Sequence, residues 1–182
     1  MADLPPLVSR ALALERSLAF GHSSIAEIGR LLHALAGQRG RVRVGEIGTG
    51  AGVGAAWIVS ALPPNVPFVT VELDADLASA AAGLFVDDEN VTVLSGDWHE
   101  VMPSEAPFDL LFYDGGGKKR PDLDGEQVVG LLAPGGTVVL DDLTPGPPGP
   151  DPVREFWLGH PHLAATELLT TPETAAILAV RL

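Results

Sequence analysis

The stretch V-G-E-I-G-T-G-A-G-V-G, residues 44–54, places five glycines in eleven positions. An apolar run with β character precedes it, and the apolar helical run A-A-W-I-V, residues 55–59, follows it. Because glycine weakens both helices and strands, so dense a cluster needs a structural reason. We interpret it as a tight strand-to-helix turn whose bare backbone a ligand can approach, next to the N-terminus of the following helix. A tight turn without a ligand is the alternative.

Strand and helix patterns alternate on both sides of this turn. Strands are predicted at 41–47, 66–73, 91–95, 108–114 and 137–141, and a closing hairpin at 163–170 and 174–181. Helices are predicted at 7–20, from Ser23 or Ser24 to 36, and at 52–62, 74–85, 122–132 and 153–158. The alternation predicts an α/β fold with a parallel sheet covered on both faces, in which ligands bind beyond the carboxyl ends of the strands.

Composition narrows the classes of function. The chain has 182 residues, 46% of them hydrophobic, and a formal net charge of −13. Such acidity disfavours binding to nucleic acid or to an anionic membrane, because phosphates would be repelled. The absence of cysteine excludes disulfides and thiolate chemistry. The N-terminus has no secretion-signal pattern and no run is long enough to span a bilayer, so we expect a cytoplasmic protein.

Acidic residues stand at almost every predicted strand end. They are Glu46, Glu72, Asp97, Asp114, Asp141 and Asp142. Because parallel strands bring their carboxyl ends to one edge of a sheet, we expect these carboxylates to gather around one site. That site suits a ligand with hydroxyls, amino groups or positive charge, or a divalent metal ion.

Two cofactor classes fit the glycine turn. A dinucleotide would use G-x-G-x-x-G/A, which Gly50, Gly52 and Ala55 satisfy. S-adenosylmethionine would use an acid two residues before the first glycine of the turn, which is Glu46. A carboxylate there would attract the ammonium of S-adenosylmethionine and repel the pyrophosphate of a dinucleotide.

Two later positions fit either a ribose or an adenine. Glu72 follows the glycines by about 20 residues, where an acid can hold ribose hydroxyls. Asp97 can accept a hydrogen bond from an adenine amino group, and the neighbouring Trp98 offers a face for stacking. A solvated turn and a core tryptophan are the alternatives for this pair.

Five motifs in order resemble those of the class I S-adenosylmethionine-dependent methyltransferases. They are E-I-G-T-G-A-G at 46–52, V-T-V-E-L-D at 69–74, L-S-G-D-W at 94–98, F-D-L-L-F-Y-D-G at 108–115 and L-L-A-P-G-G-T-V-V-L-D-D at 131–142. Within that class, the segment S-I-A-E-I-G-R-L-L-H-A-L-A at 24–36 is similar to the helix before the first strand of the catechol and caffeoyl-CoA O-methyltransferases. The resemblance implies a Rossmann-like, doubly wound sheet of seven strands, mostly parallel with a reversed C-terminal hairpin.

The resemblance also implies roles for individual residues. Cofactor contacts are implied at Ser24, Glu46, Gly48, Thr49, Gly50, Gly52, Glu72, Leu73, Asp97, Trp98 and Asp114. A divalent metal ion, usually Mg²⁺, would be held by Asp114, Asp141 and Asp142, where the family has an Asp and an Asp-Asn pair. The catalytic base of the family is a lysine soon after the first Asp, and Lys118 lies about one position later than that lysine. A solvated turn is the alternative for Lys118.

The function predicted from these residues is methyl transfer from S-adenosylmethionine to a hydroxyl of a small molecule, with or without Mg²⁺. A nicotinamide-dependent oxidoreductase and a non-catalytic S-adenosylmethionine-binding protein are the alternatives. We expect one methyltransferase domain over 1–182, with an N-terminal helical cap at 1–37 and a Rossmann-like core at 38–182. The apolar face of the first helix suggests a homodimer.

Overall fold

The computed structural model describes residues 4–116, 118, 120–146 and 149–182. Its helices are α1 (Pro6–Leu18), α2 (Ala26–Ala36), α3 (Val53–Val59), α4 (Ala75–Ala82), α5 (Trp98–Glu105), α6 (Pro121–Gly130) and α7 (Pro152–Gly159). Its strands are β1 (Val44–Ile47), β2 (Phe68–Glu72), β3 (Val91–Ser95), β4 (Phe108–Tyr113), β5 (Leu132–Leu143), β6 (Leu163–Leu169) and β7 (Ala175–Arg181).

The strands form one sheet in the order β3-β2-β1-β4-β5-β7-β6. The first five strands run parallel, whereas β7 pairs antiparallel with both β5 and β6. The prediction of a seven-stranded, mostly parallel sheet with a reversed C-terminal hairpin is confirmed. The strand order reverses between β1 and β4, and this switch point is where ligands bind in open α/β sheets.

Apolar side chains cover both faces of the sheet, as a parallel sheet between two helical layers requires. Along β4, Leu110 and Phe112 pack with α2 and α3, while Leu111 and Tyr113 pack with α5, α6 and α7 on the opposite face. All four side chains are at most 1% exposed. This central strand therefore fixes the carboxyl edge of the sheet, where Asp114 follows it.

The two N-terminal helices pack against α3, which begins at the glycine turn. Val8 and Ala11 of α1 are buried in one cluster with Val53, Ala56 and Trp57 of α3. The apolar face that suggested a homodimer is thus covered only in part, since Ala11 is buried whereas Leu18 is 41% exposed. The homodimer stays a prediction.

Several elements are a few residues shorter than predicted, such as β1, which begins at Val44, and three further details differ from the sequence predictions. Helix α5 was not predicted, since it is eight residues long and contains Pro103. The predicted start of the second helix at Ser23 or Ser24, as a capping residue, is wrong, because α2 starts after Ile25 without a side-chain cap. Strand β5 extends back to Leu132 and includes a register shift against β4.

Among the residues described, no helix combines the length and the apolar character needed to cross a bilayer.

Candidate functional site

A cavity of about 460 Å³ opens at the carboxyl edge of the sheet, which is an ordinary volume for a small-molecule site. The ends of β1 to β4, the segment before α2 and Asp142 in β5 line it. The cavity brings together the predicted cofactor residues Ser24, Glu46, Gly48, Thr49, Gly50, Glu72, Leu73, Asp97, Trp98 and Asp114. The predicted residue Gly52 lies outside this lining, beside Leu84.

The glycine turn has structural reasons of its own. Gly48, Gly50 and Gly52 adopt φ values of 95°, 51° and 79°, which residues with side chains rarely adopt. A Cβ atom at Gly48 would lie 2.8 Å from the backbone of Asp114, and one at Gly50 would lie 2.8 Å from the ring of Phe20. Part of what approaches this backbone is therefore the protein itself.

Glu46 is a buried carboxylate that lines the cavity. The residue is only 1% exposed, and its Oε2 accepts a hydrogen bond of 2.6 Å from the Thr70 hydroxyl. Burial raises the pKa of Glu46 well above its ordinary value, and the nearby Asp114 and Glu72 raise it further, although the Thr70 hydrogen bond opposes this. A cationic group in the cavity would stabilise the charged form.

Glu72 ties the glycine turn to the end of β2. Its Oε2 accepts a hydrogen bond of 2.8 Å from the backbone N–H of Gly50, and its Oε1 accepts one of 3.0 Å from Asp74. Each carboxylate oxygen can accept a second hydrogen bond, so Glu72 can still accept from a ribose hydroxyl. The neighbouring Leu73 is 74% exposed at the cavity.

Asp97 and Trp98 are organised by the next residue, His99. Asp97 caps α5, and its Oδ1 accepts hydrogen bonds from the His99 backbone N–H at 3.0 Å and contacts His99 Nδ1 at 2.7 Å. These hydrogen bonds lower the pKa of Asp97, and the one from the backbone N–H of His99 has the largest effect. The rings of Trp98 and His99 stack with centroids 3.8 Å apart. Asp97 is therefore held as an anion at the cavity, beside an aromatic pair.

Three carboxylates and one ammonium form a compact cluster at the ends of β4 and β5. Lys118 Nζ lies 2.6 Å from Asp114 Oδ1, 2.9 Å from Asp141 Oδ1 and 3.1 Å from Asp142 Oδ2. Burial lowers the pKa of Lys118, but the charges of Asp114 and Asp141 outweigh it, so the pKa is raised. Burial and the charge of Asp141 raise the pKa of Asp114 despite Lys118. Lys118 is thus a protonated partner of the acids rather than a residue of a solvated turn.

Comparisons with known proteins identify the family. A family model described as a methyltransferase domain matches residues 46–143, more than half of the chain. A protein of Mycobacteroides abscessus named "Putative O-methyltransferase" is 30% identical over 150 residues, covering 78% of this chain and 69% of that protein. This chain belongs to the methyltransferase family.

Further relatives of this methyltransferase agree with that assignment. A protein of the same name from a Mycobacterium species is 30% identical over 137 residues, covering 71% of this chain and 62% of that protein. The crystal structure of the O-methyltransferase TomG from Streptomyces achromogenes, in complex with SAM, matches with a TM-score of 0.82 at 26% identity, covering 100% of this chain and 92% of that chain. An O-methyltransferase structure from Bacillus cereus, with a TM-score of 0.83 at 20% identity, covers 100% of this chain and 93% of that chain and shows the common fold.

The predicted resemblance to the class I S-adenosylmethionine-dependent O-methyltransferases is confirmed by these comparisons. They give no support to the alternative of a nicotinamide-dependent oxidoreductase. The roles of the individual site residues stay predictions, because the comparisons do not test them.

Sequence reasoning missed several residues that line the cavity of this methyltransferase. Phe20 and His22, between α1 and α2, lie at the cavity, and no local motif points to them. Arg120 also lines it, as does His99, whose place next to Asp97 and Trp98 did indicate nearness to the cofactor; both bind the buried Asp124, at 3.0 Å and 2.8 Å. For His99, one local signal was available. Asp97 and Glu100 have the spacing of a capped helix start, which predicts the helix α5 whose first turn contains His99.

Proposed function

We propose that this methyltransferase transfers the methyl group of S-adenosylmethionine to a hydroxyl of a small acceptor molecule. The observation that carries the proposal is the cavity at the carboxyl edge of the sheet, with the buried carboxylate of Glu46 facing it beside the glycine turn. The names of the relatives and of the structural neighbour TomG support a hydroxyl as the acceptor.

The residues of the cavity fit S-adenosylmethionine, whose sulfonium supplies an activated methyl group. Glu46 would hold the ammonium, which supplies the positive charge that its burial favours. Glu72 would hold the ribose hydroxyls, and Asp97 would accept from the adenine amino group beside Trp98. The remaining proposed contacts are those of Ser24, Gly48, Thr49, Gly50, Leu73 and Asp114. For Gly52 we propose a supporting role in the turn, since its near neighbour is Leu84.

The acceptor end of the cavity would lie at Asp114 and Asp142, which line it together with Gly115 and Gly116. We propose that Asp114, in the ionised form that the neighbouring Lys118 ammonium favours, accepts the proton of the acceptor hydroxyl. Lys118 holds its proton while it is paired with three acids. A role of Lys118 as the base would require that it first leave these partners.

The donor set at this end also fits a divalent metal ion. Oxygen atoms of Asp114, Asp141 and Asp142 lie within 4.8 Å of one another, and Mg²⁺ prefers carboxylate oxygens. Bound there, Mg²⁺ would lower the pKa of an acceptor hydroxyl.

Binding and turnover measured on the same preparation test the proposal. We expect isothermal titration calorimetry to detect binding of S-adenosylhomocysteine and none of NADH. We also expect methylation of at least one member of a panel of phenols, catechols and hydroxy acids, assayed with and without Mg²⁺. Tight binding without turnover across the panel would favour the non-catalytic alternative, and binding of NADH alone would reject the proposal.

A further inference from the structure

The Lys118 ammonium occupies the centre of the acidic cluster. Its three contacts of 2.6, 2.9 and 3.1 Å reach one oxygen of each carboxylate, those of Asp114, Asp141 and Asp142. An ammonium has three N–H donors, so these contacts satisfy all of them. The Lys118 ammonium is therefore surrounded by three carboxylates, as a small cation with three carboxylate ligands would be.

Charge explains why the cluster needs a cation. The side chains of Asp114 and Asp141 are 15% and 3% exposed, so two acids are largely removed from water and stand beside a third. Like charges at this distance repel strongly where water is excluded. Among the described residues, Lys118 is the one cation whose nitrogen lies within 4.0 Å of all three carboxylates.

The backbone of β5 helps to build this arrangement. Asp142 adopts a φ of 61°, in the left-handed region, at a place where the register of β5 against β7 shifts between Leu140 and Leu143. Such a conformation is uncommon for a residue with a side chain. In this conformation the side chain of Asp142, although 72% exposed, contacts the same ammonium as the buried Asp141.

A divalent ion bound between these three carboxylates would lie at or near the position of Lys118 Nζ, which is within 3.1 Å of one oxygen of each. The ammonium and the ion cannot both lie there, because two positive charges in contact repel strongly in a site largely removed from water. We propose that Lys118 is the resident cation of the cluster, holding its three carboxylates in place, and that it must withdraw before a divalent metal ion can bind. Any role of this exchange in methyl transfer rests on the proposed function.

Direct metal binding by purified full-length chains, freed of metal with EDTA, tests the inference. Electron paramagnetic resonance would measure Mn²⁺ affinity for the wild type, Lys118→Met and Lys118→Arg. We expect Lys118→Met to bind Mn²⁺ at least tenfold more tightly than the wild type, since the competing charge is gone. Lys118→Arg keeps a cation and should stay within about threefold of the wild type, and equal affinities for the wild type and Lys118→Met would overturn the inference.

Thermal melting of the same proteins gives a second readout. Without metal, Lys118→Met should melt below the wild type, and Mn²⁺ should raise its midpoint more than that of the wild type. If Lys118→Met does not fold by circular dichroism, Lys118→Gln replaces it with the same expectations. An equal rise for wild type and folded variant would contradict the inference.

Binding of S-adenosylhomocysteine, measured separately, distinguishes failure of the inference from failure of the proposed function. A wild type that binds this compound while Lys118→Met shows no gain in Mn²⁺ affinity would reject only the inference. A wild type that does not bind it, while Lys118→Met gains Mn²⁺ affinity, would reject the proposed function and leave the resident cation supported.

Discussion

Glu46 shows what a motif can reveal about a single residue and what it cannot. Its position before the glycines predicted a carboxylate for a positive group, and the structure places it at the cavity. The sequence could not show its surroundings, because Thr70 is 24 residues away and reaches Glu46 only through the pairing of β1 with β2. Which hydroxyl lies beside Glu46 is decided by the register between β1 and β2, and no local sequence pattern specifies that register.

Replacing Glu46 with glutamine should weaken cofactor binding. The substitution keeps the shape and removes the charge, and a hydrogen bond to a charged group contributes about 1.5–3 kcal/mol. We expect the dissociation constant for S-adenosylhomocysteine to rise about 10- to 150-fold in Glu46→Gln by calorimetry. The exposed Glu89→Gln is the matched control and should bind as the wild type does.

The same variant should be more stable than the wild type without ligand, and increasingly so at high pH. Because burial raises the pKa of Glu46 above its ordinary 4.5, the native state favours the protonated form. The stability linked to that proton is present below pH 4.5 and is lost as the pH rises through the raised pKa. Urea unfolding at pH 5 and pH 8 measures the effect, and a variant less stable than the wild type at pH 8 would contradict it.

At the scale of elements, His99 joins the start of α5 to α6. Its Nε2 lies 2.8 Å from the buried Asp124, and its Nδ1 lies 2.7 Å from Asp97. Burial lowers the pKa of His99, but the hydrogen bonds with Asp124 and Asp97 outweigh it and raise the pKa above 6.5. The sequence did not predict this link, since it depends on a helix that was itself missed.

Replacing His99 with glutamine should therefore destabilise the protein most at low pH. The contribution of a histidine with a raised pKa is fully present below pH 6.5 and is lost as the pH rises through the raised pKa. We expect a loss of about 1 kcal/mol at pH 6 and less at pH 9, because the partly exposed ring is screened by solvent. Urea unfolding of His99→Gln and of the exposed control His162→Gln measures both, and an equal loss at both pH values would indicate packing alone.

Helices α2 and α3 approach each other closely at Gly29. A Cβ atom there would lie 2.1 Å from Nε1 of Trp57, whose residue is only 5% exposed. We expect Gly29→Ala to reduce the free energy of unfolding by about 1–3 kcal/mol, because the indole has little room to move. Gly130→Ala, in α6 with open space around it, is the matched control and should be neutral or stabilising by up to about 1 kcal/mol. Equal effects in chemical unfolding would show that Trp57 adjusts freely.

At the scale of the whole molecule, the alternation of strands and helices predicted the parallel sheet, because the spacing of apolar residues distinguishes a helix from a strand within each segment. The resemblance implied seven strands with a reversed C-terminal hairpin, but the order of the strands was not predicted, because β1 pairs with β4 and not with β3. The acidic cluster was likewise predicted as a set, but the place of Lys118 within it depends on the path of the loop after Asp114. Side-chain positions in loops depend on packing that spacing does not describe.

The division into a cap at 1–37 and a core at 38–182 stays a prediction, as does the homodimer. Helix α1 buries Val8 and Ala11 against α3, so a dimer that uses this helix would have to use its exposed residues, such as Leu18. Sedimentation at several protein concentrations measures the assembly, and we expect a dimer mass. A single species of monomer mass at all concentrations would reject the homodimer.

The net charge of −13 makes the response of the whole molecule to salt a test of which electrostatic effect dominates. Self-repulsion of the excess acids destabilises the compact state, whereas ion pairs such as Arg41–Asp109 and Arg154–Glu167 stabilise it. Since 24 acids face 11 bases, we expect repulsion to dominate.

The thermal midpoint should then rise by a few degrees as NaCl increases from about 10 mM to about 200 mM, because the screening length shortens from about 30 Å to below 10 Å. The double variant Asp87→Asn with Glu89→Gln removes two exposed charges and should respond less to salt than the wild type. A midpoint that falls with NaCl would mean that the ion pairs contribute more to stability than the net charge takes away.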